Sequence, residues 1–355
     1  MSEALKPGAT IGILGGGQLG RMLALAGARL GFDIAIFEPE ADCPAGRVAA
    51  RTVTAAYEDL DAVAAFARSV DAVTYEFENV PVASALEAAR HAPLRPGAKA
   101  LEIAQDRLTE KTFLNEHAAK TVRFEPVDSA EAASRALDWL GGPAILKTRR
   151  LGYDGKGQAV VRTAEEAEAA FARLDAPCIL EAFAPFTREI SVVAARGLDG
   201  TIRAYPVSEN VHGGGILRET TAPAPGAGAA QTEALRIATA VLEGLDYVGV
   251  LAVELFELED GTLLVNEIAP RVHNTGHWTM DACATDQFEQ HLRAVAGWPL
   301  GDPAPHSAAR MVNLIGDDAH GWRAHLDAGG LVHLYGKREA RPGRKMGHVN
   351  YLSPI

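Results

Sequence analysis

The chain has 355 residues, of which 48% are hydrophobic and 23% charged, which is typical of a globular protein and excludes a disordered one. Its formal net charge of -12 argues against nucleic acid or an anionic membrane as the main partner, although it permits a local basic pocket for a phosphorylated substrate. The three cysteines lack CxxC spacing, and no apolar run resembles a membrane span or a signal peptide. We therefore expect a cytoplasmic protein.

The N-terminal part alternates short apolar strands with amphipathic helices. This β-α-β-α-β order predicts a doubly wound domain with a parallel sheet. Helical runs at residues 83–91 and 98–119 lead out of the domain. The predicted strands are residues 10–15, 33–40 and 71–77, and the predicted helices are residues 18–31 and 60–69.

A glycine turn follows the first strand. Gly15, Gly17 and Gly20 satisfy the G-x-G-x-x-G pattern, and Glu38 ends the next strand, where a ribose-binding acid belongs in dinucleotide enzymes. However, backbone N–H groups at a helix N-terminus bind any phosphate. The turn alone therefore leaves NAD(P) or FAD and another phosphate ligand equally open, and no hydride-transfer site is recognisable further along the chain.

The region after residue 121 changes in character. Short strands at residues 144–148, 159–162, 178–183, 189–196 and 202–208 are joined by glycine loops with few helices, which predicts an α+β unit with antiparallel sheets. A Pro- and Gly-rich connection at 220–229 precedes a helix at 231–244, and the tail at 308–354 is predicted to be a small β-rich unit.

A lysine and a glycine-rich loop lie side by side in this second region. Lys147 is on an apolar strand, and residues 152–158 (GYDGKGQ) connect that strand to the next. Glycines allow the backbone to approach phosphate oxygens, while Lys147 and Lys156 can neutralise a transferred phosphoryl group. Further on, the strand end at residues 181–184 and the carboxylate of Glu189 could bind an adenine edge and ribose hydroxyls.

A hairpin with an acidic pair gives the most specific signal. Asp260-Gly261 between alternating apolar runs predicts a two-residue turn. That register pairs Leu258 with Leu263, Phe256 with Val265, and Glu254 with Glu267. Cross-strand partners have Cβ atoms about 5 Å apart, and like charges so placed repel each other, so a cation is expected between the two carboxylates. Hard oxygen ligands suit Mg²⁺, which also binds phosphate oxygens of nucleotides.

Three functional side chains leave this hairpin together. Pro270 gives a rigid exit, and Arg271, His273 and Asn274 follow it. A guanidinium binds carboxylates through two parallel hydrogen bonds, and the other two side chains position a ligand through hydrogen bonds. We therefore expect an anion site beside the predicted metal site.

The order of glycine loop, hinge strand with acid, and acidic hairpin resembles the ATP-grasp superfamily. The segments GGGQLGRM, TYEFENV, GYDGKGQ, REISVV, NEIAPRVHNTGHWT and YGKREARPGRKMGHVN together resemble the N5-carboxyaminoimidazole ribonucleotide synthetases of purine biosynthesis, and the similarity runs from residue 11 to residue 355. The resemblance implies a fold with an α/β domain at residues 1–105 and an ATP-grasp domain at 106–300. Within the latter it implies a lid at about 121–186, and a β-rich domain follows at 301–355.

The resemblance also implies the roles of individual residues. It implies that Glu254 and Glu267 bind magnesium, with manganese as an alternative. It also implies that Arg271, His273 and Asn274 bind bicarbonate. Asp154 and His273 are the candidates for proton transfer, and Lys156 joins the catalytic group. ATP falls to Arg107, Lys147, Gly152, Tyr153, Asp154, Gly155, Lys156, Gly157, Gln158, Glu181, Ala182, Phe183, Ala184, Glu189, His212, Asn266 and Glu267. Aminoimidazole ribonucleotide falls to Gly17, Gln18, Leu19, Glu76, Tyr153, Asp154, Lys156, Lys337, Arg344 and Lys345.

The implied reaction is an ATP-dependent carboxylation of the ribonucleotide through carboxyphosphate, by a homodimeric enzyme that binds neither nucleic acid nor membranes. Another ATP-grasp carboxylate–amine ligase, of the formate-dependent glycinamide ribonucleotide transformylase or biotin carboxylase type, is the nearest alternative. An NAD(P)-dependent oxidoreductase is the remote alternative.

Overall fold

The computed structural model describes residues 4–152 and 155–355. Its N-terminal part is a parallel sheet with strand order β3-β2-β1-β4. The predicted doubly wound pattern is confirmed, and β3 is an addition to it, since three residues are too short for a periodic signal. The elements are β1 (Thr10–Leu14), α1 (Gln18–Arg29), β2 (Asp33–Phe37), β3 (Arg51–Val53), α2 (Leu60–Ala67), β4 (Ala72–Tyr75), α3 (Val82–Ala89) and α4 (Ala98–Ala104).

The next unit is a small antiparallel sheet with order β5-β8-β6-β7, covered by two helices. The expectation of few helices here was wrong. Ser129 and Thr163 each cap a helix N-terminus by accepting a backbone N–H hydrogen bond three residues later, and these caps were the missed signals. The elements are α5 (Arg107–Glu116), β5 (Phe124–Val127), α6 (Ala130–Leu140), β6 (Ala144–Thr148), β7 (Gln158–Val161), α7 (Ala164–Leu174) and β8 (Cys178–Ala182).

The single helix predicted at 98–119 is two helices, α4 and α5. The carboxylate of Asp106 accepts hydrogen bonds from the backbone N–H groups of Leu108 and Thr109, at 3.0 and 3.4 Å. This N-cap geometry is extended rather than helical, so the chain turns between the two helices. As a result, α5 runs towards the second unit and its polar face reaches the nucleotide region described below.

A nine-stranded antiparallel sheet forms the centre of the molecule, with order β14-β13-β9-β11-β12-β15-β17-β16 and β10 attached to β9. The C-terminal strands extend this sheet through the pairing of β12 with β15. The elements are β9 (Phe186–Arg196), β10 (Ile202–Ala204), β11 (Ser208–Gly213), β12 (Ile216–Ala222), α8 (Gly228–Gly244), β13 (Gly249–Leu258), β14 (Leu263–Ala269), α9 (Thr279–Ala282), α10 (Gln287–Ala296), β15 (Ala308–Ile315), α11 (Trp322–Asp327), β16 (Leu331–Leu334) and β17 (Lys345–Ser353).

The alternation along β13 decides which way the acidic pair faces. Leu251 and Val253 pack in one core with α8, whereas Val250 and Ala252 pack in another core with α1 and α10. Side chains alternate between the two faces of a strand, so Glu254 continues the second set. The acidic pair therefore faces away from α8, towards the cleft between the sheet and the N-terminal unit.

The hairpin between β13 and β14 reaches the predicted acid pairing by a different register. Its turn has three residues, with Gly261 at φ +80, and the backbone N–H of Leu258 donates to the carbonyl of Thr262 at 2.9 Å. The predicted pairing of Leu258 with Leu263 was therefore wrong. A bulge at Asn266 then shifts the register back, so Glu254 does face Glu267. The loop and the bulge each move the register by one residue, and the two shifts cancel.

A buried histidine ties the parallel sheet to the central sheet. His291 of α10 accepts from the backbone N–H of Val250 through Nδ1, at 3.1 Å, so its Nε2 carries the proton and donates to the hydroxyl of Thr74, at 2.8 Å. Burial lowers the pKa of His291 to about 3. This neutral imidazole thus holds β4 against β13, and protonation would disrupt the contact.

We expect the stability of the fold to fall as the pH drops below about 6.5, because unfolded His291 takes up a proton that the folded state rejects. The loss attributable to His291 is about 1.4 kcal/mol per pH unit below that value. Denaturant unfolding at pH 7 and pH 5 measures it. The variant His291→Gln should have a shallower pH slope than the wild type, whereas the exposed control His320→Gln should not. Equal slopes for all three proteins would refute the assignment.

Candidate active site

The small sheet of β5, β8, β6 and β7 lies within the predicted lid and is called the lid sheet. A cavity of about 400 Å³ lies between the lid sheet, the central sheet and α5. Residues from the glycine loop, the acidic hairpin and its exit all line it. The structure thus brings together most of the residues predicted for ATP, metal and bicarbonate. Those lining the cavity are Arg107, Lys147, Gly152, Gly155, Lys156, Gln158, Glu189, His212, Glu254, Asn266, Glu267, Arg271, His273, Asn274 and Lys345.

The two acids have different local partners. Glu267 accepts a hydrogen bond from Arg107, at 3.0 Å, and Glu254 lies 3.2 Å from Nε2 of His273. Burial and then the charge of Glu267 raise the pKa of Glu254. Two carboxylates that disfavour each other's charge in one cavity fit a divalent cation with oxygen ligands. Among the described residues, no group of three or more His, Cys, Asp or Glu side chains that could hold a metal ion occurs.

His273 is a buried imidazole beside Glu254. Its Nδ1 accepts from the backbone N–H of Thr275, at 3.4 Å, so Nε2 carries the hydrogen that faces Glu254. Burial, followed by the nearby charge of Arg271, holds the pKa of His273 well below its usual value. Burial among cations therefore favours the positioning role predicted for His273 over proton transfer, and both roles stay predictions.

The side-chain amide of Asn274 is hydrogen-bonded to another side chain. Its amide and that of Asn313 exchange two hydrogen bonds, at 2.9 and 2.8 Å, and Asn313 also donates to the carbonyl of Leu217. Asn274 therefore fixes the exit of β14 against β12 and β15. Its predicted contact with bicarbonate stays a prediction, and the paired amide can supply only the hydrogen-bonding capacity left over from Asn313.

Arg271 is held by a residue that the sequence analysis did not single out. Its Nε donates to the carboxylate of Glu78, from the TYEFENV segment, and its Nη1 donates to the carbonyl of Val272, at 3.1 Å. Burial raises the pKa of Glu78, but the Arg271 charge outweighs this and the net pKa is lowered. Glu78 and Arg271 both line the cavity, so this ion pair presents a fixed guanidinium there.

A second histidine and carboxylate lie on neighbouring strands of the central sheet. Nδ1 of His212 is 2.7 Å from the carboxylate of Glu189. Burial lowers the pKa of His212, but contact with Glu189 and the charge of Glu254 outweigh it and raise the net value. The contact with Glu189 thus favours the protonated imidazole, which lies at the bulge of β11 and lines the cavity.

Lys147 belongs to a buried triad. Its Nζ donates to Glu181, at 2.7 Å, and Nζ of Lys111 lies 3.3 Å from the other carboxylate oxygen. Burial alone would raise the pKa of Glu181, but the two lysines lower it to about 2. Lys147 lines the cavity, whereas Glu181 lies behind it. The predicted contact of Glu181 with ATP is therefore replaced, for its side chain, by support of Lys147.

The strand end after Glu181 has already used two of its amides. The backbone N–H of Ala182 donates to the carbonyl of Arg123, at 2.8 Å, and that of Phe183 donates to the carbonyl of Pro143, at 3.3 Å. An adenine base at residues 181–184 would have to use the other backbone groups, including those of Ala184. The adenine assignment stays a prediction.

The glycine loop covers the cavity from the lid side. The carbonyl of Gly152 accepts from Arg107, at 3.3 Å, and a Cβ at Gly155 would come within 3.3 Å of the backbone at Gly214. Gly157 has a φ of +71, a conformation that L side chains rarely adopt. The predicted ligands Tyr153 and Asp154 lie outside the described residues.

The first glycine turn binds the protein's own carboxylates. Gly16 donates to Glu38, and Gly17 and Gly20 both donate to Glu76, each at 2.7 Å. The glycines leave room for Glu76 rather than for a phosphate, because a Cβ at Gly15 or Gly17 would overlap its side chain. The prediction that these amides bind a phosphate was therefore wrong, because they donate to carboxylates of the protein itself. Glu38, predicted as a ribose ligand in the dinucleotide alternative, accepts from the backbone N–H of Gly16.

The residues predicted for the ribonucleotide are divided between two places. Lys337 and Arg344 line a separate cavity of about 330 Å³, together with Arg47 of the N-terminal unit, whereas Lys345 lines the main cavity. The side chain of Leu19 packs in the hydrophobic core, so only its backbone could meet a substrate. Gln18 is the first residue of α1, and its role stays a prediction.

Three charged residues of α5 occupy one helix face, and two of them were missed. Arg107, Glu110 and Lys111 have the i, i+3, i+4 spacing that places side chains together, which was the available signal. Glu110 accepts from the backbone N–H of Ile268, at 2.7 Å. Burial and then the charge of Glu267 raise the pKa of Glu110 to about 8. Helix α5 thus holds β14 in place through hydrogen bonds of Arg107 and Glu110.

A lid sheet and a central sheet that enclose a buried lysine and a facing acid pair define an ATP-grasp protein, and the family model of the ATP-grasp domain matches residues 112–288. The N5-carboxyaminoimidazole ribonucleotide synthase of Brucella melitensis biotype 1 is 54% identical over 99% of this chain and 98% of that protein. The Bacillus subtilis enzyme of the same name is 41% identical over 99% and 93%. The chain belongs to the N5-carboxyaminoimidazole ribonucleotide synthase family.

Solved structures agree with this membership along the whole chain. An ADP complex of N5-carboxyaminoimidazole ribonucleotide synthetase superposes with a TM-score of 0.96 at 41% identity, over 99% of this chain and 94% of that one. The Aspergillus clavatus enzyme, in complex with ADP and 5-aminoimidazole ribonucleotide, gives 0.91 at 30% identity, over 98% and 94%. Family models of the ribonucleotide synthetase preATP-grasp domain and the phosphoribosylaminoimidazole carboxylase C-terminal domain match residues 8–105 and 309–354.

Proposed function

We propose that this protein uses ATP and bicarbonate to convert 5-aminoimidazole ribonucleotide into N5-carboxyaminoimidazole ribonucleotide, with release of ADP and phosphate, in purine biosynthesis. The observation that carries the proposal is a single cavity that holds the acid pair Glu254 and Glu267, the phosphate-facing Lys147 and the fixed guanidinium of Arg271. Membership of the synthase family supports the same reaction.

The first step joins bicarbonate to the γ-phosphoryl group of ATP. A bicarbonate oxygen forms a bond to γ-phosphorus while the bond from that phosphorus to the β–γ bridging oxygen breaks, giving carboxyphosphate and ADP. Arg271, held by Glu78, would orient bicarbonate, and Lys147 with Lys156 would offset the charge on the transferred group.

The second step transfers the carboxyl group to the ribonucleotide. The exocyclic amine forms a bond to the carboxyl carbon, the carbon–oxygen bond to phosphate breaks, and the amine loses a proton. Because His273 is buried with a lowered pKa, we propose Asp154 as the proton acceptor. Closure of the loop at residues 152–158 would keep water from the reactive anhydride.

Glu254 and Glu267 would hold the magnesium ion, with manganese as a substitute, and the metal would supply charge neutralisation for the nucleotide phosphates when bound. Arg107 and His273 each contact one of these carboxylates and would fix its orientation. Hydrogen bonds that orient the ligands of a metal ion raise its affinity for the site.

An assay of ADP release tests the proposed function against its alternatives. Release should require ATP, bicarbonate and 5-aminoimidazole ribonucleotide together. Turnover with formate and glycinamide ribonucleotide, or with biotin, would instead indicate one of the related ligases. Quenching of nicotinamide fluorescence on titration would support the dinucleotide alternative, which the occupied amides of Gly16 and Gly17 disfavour.

The second cavity yields a separate prediction, because Lys337 would bind the ribonucleotide phosphate there. We expect Lys337→Ala to raise KM for the ribonucleotide about tenfold while changing KM for ATP by less than about twofold, as loss of one charge-assisted hydrogen bond implies. Steady-state kinetics with each substrate varied in turn measure this split. Arg323→Ala, an exposed change in α11, is the matched control, and equal effects on both KM values would contradict the assignment.

We also propose a cytoplasmic homodimer without nucleic-acid or membrane partners. The net charge of -12 supports the absence of nucleic-acid and anionic-membrane partners, and the three buried free cysteines support the cytoplasmic location. The homodimer rests on the family resemblance alone. In the described part of the chain, every helix is too short or too polar to span a bilayer. Sedimentation equilibrium tests the dimer, and a monomer at micromolar concentration would count against it.

A further inference from the structure

Lys111 lies at the centre of the nucleotide site without lining the cavity. It is fully buried on α5, and its Nζ donates to the carbonyl of Asn266, at 3.1 Å. The same Nζ lies 3.3 Å from Glu181, whose other oxygen accepts from Lys147, at 2.7 Å. One ammonium group therefore joins the hinge strand of the lid, β8, to the strand of the acid pair, β14.

The charges in this cluster are unequal. Glu181 supplies one negative charge, and Lys111 and Lys147 supply two positive charges, with all three side chains at most 8% exposed. Arg107 also acts on Glu181 through its charge, but it is paired with Glu267, at 3.0 Å. If Lys147 were the only cation in contact with Glu181, the two charges would cancel and little attraction would remain for a phosphate. Because Lys111 compensates Glu181 from behind, the cluster keeps a net positive charge, carried by the one member that lines the cavity.

The contact with Asn266 adds a geometric role. Asn266 is the extra residue of the bulge that returns Glu267 to its place opposite Glu254. Bulges leave backbone groups outside the regular ladder of hydrogen bonds, and the Asn266 carbonyl is satisfied by Lys111.

We propose that Lys111 is a positioning residue for ATP: it neutralises Glu181 so that the charge of Lys147 is available to the nucleotide phosphates, and it pins the bulge beside Glu267. The inference rests on the proposed use of ATP by this site. It is distinct from direct ligand binding, because Lys111 acts through Lys147 and Asn266.

A double-mutant cycle on ATP binding tests this role. Lys111→Met should weaken ATP binding, measured by calorimetry without turnover, by about tenfold or more, because Lys147 is then neutralised by Glu181. Adding Glu181→Gln should restore the affinity to within about threefold of the wild type. A purely structural lysine would not be rescued by a second buried substitution. Lys99→Met is the matched control, since Lys99 also donates to a backbone carbonyl, at 2.9 Å, but does so at the surface.

The outcomes separate this inference from the proposed function. If wild-type protein does not bind ATP, the proposed function fails. If it binds ATP and the double variant is no tighter than Lys111→Met, the positioning role of Lys111 is overturned. Thermal unfolding of each variant is measured alongside, and if Lys111→Met does not fold, the cycle is repeated with Lys111→Gln, which keeps a donor beside the Asn266 carbonyl.

Discussion

Glu267→Gln is expected to lower metal-dependent turnover by at least about 100-fold while the protein stays folded. The substitution removes one of two facing negative charges, and a neutral amide is a poor ligand for a hard divalent ion. The amide oxygen of the new side chain would still accept the hydrogen bond from Arg107, so the local structure should persist. ADP release as a function of magnesium concentration, together with circular dichroism, measures both parts of the prediction.

Glu259→Gln provides the comparison for this experiment. Glu259 is an exposed residue in the turn of the same hairpin, so its neutralisation changes the net charge equally without touching the cavity. Turnover of this variant should stay within about twofold of the wild type, as expected for a surface change. Full activity of Glu267→Gln at ordinary magnesium concentrations would remove the acid pair from the mechanism.

Lys147→Met should reduce kcat by roughly 100- to 1000-fold, because it removes a buried cation at the point where charge develops on the transferred phosphoryl group. The fold should tolerate the change, since Glu181 keeps Lys111 as a partner at 3.3 Å. Single-turnover measurement of ADP formation separates this chemical effect from substrate binding.

The control for Lys147→Met is Lys120→Met, an exposed lysine in the connection between α5 and β5. If both variants lose activity to the same extent, the effect of Lys147 is a general loss of positive charge. If neither does, Lys147 is not part of phosphoryl transfer, and Arg107 or Lys156 would have to supply the charge.

Local signals in the chain predicted much of the fold. Short apolar runs in alternation with helical segments predicted β1, β2 and β4, because the strands of a parallel sheet are buried on both faces. The ATP-grasp architecture followed from motif order. The helices α6 and α7 were missed although Ser129 and Thr163 cap their N-termini.

The facing of Glu254 and Glu267 was predicted correctly although the predicted hairpin register was incorrect. The turn chemistry of Asp260-Gly261 predicted a hairpin, and a hairpin formed. The structure has a three-residue loop and a bulge instead of the predicted two-residue turn, and the backbone at the bulge is hydrogen-bonded to Lys111 and Lys120, which come from another part of the chain. Sequence spacing within a hairpin contains no information about such contacts.

Residue types and their order along the chain predicted a nucleotide site with a facing acid pair and an anion-binding arginine, and the resemblance of its motifs to a known family predicted a ligase. Tertiary packing alone decided the rest: Glu76 fills the glycine turn, Glu78 holds Arg271, and burial keeps His273 neutral. The reason is physical. A side chain's chemical identity is local, but its pKa and its hydrogen-bond partners depend on groups that only folding brings near.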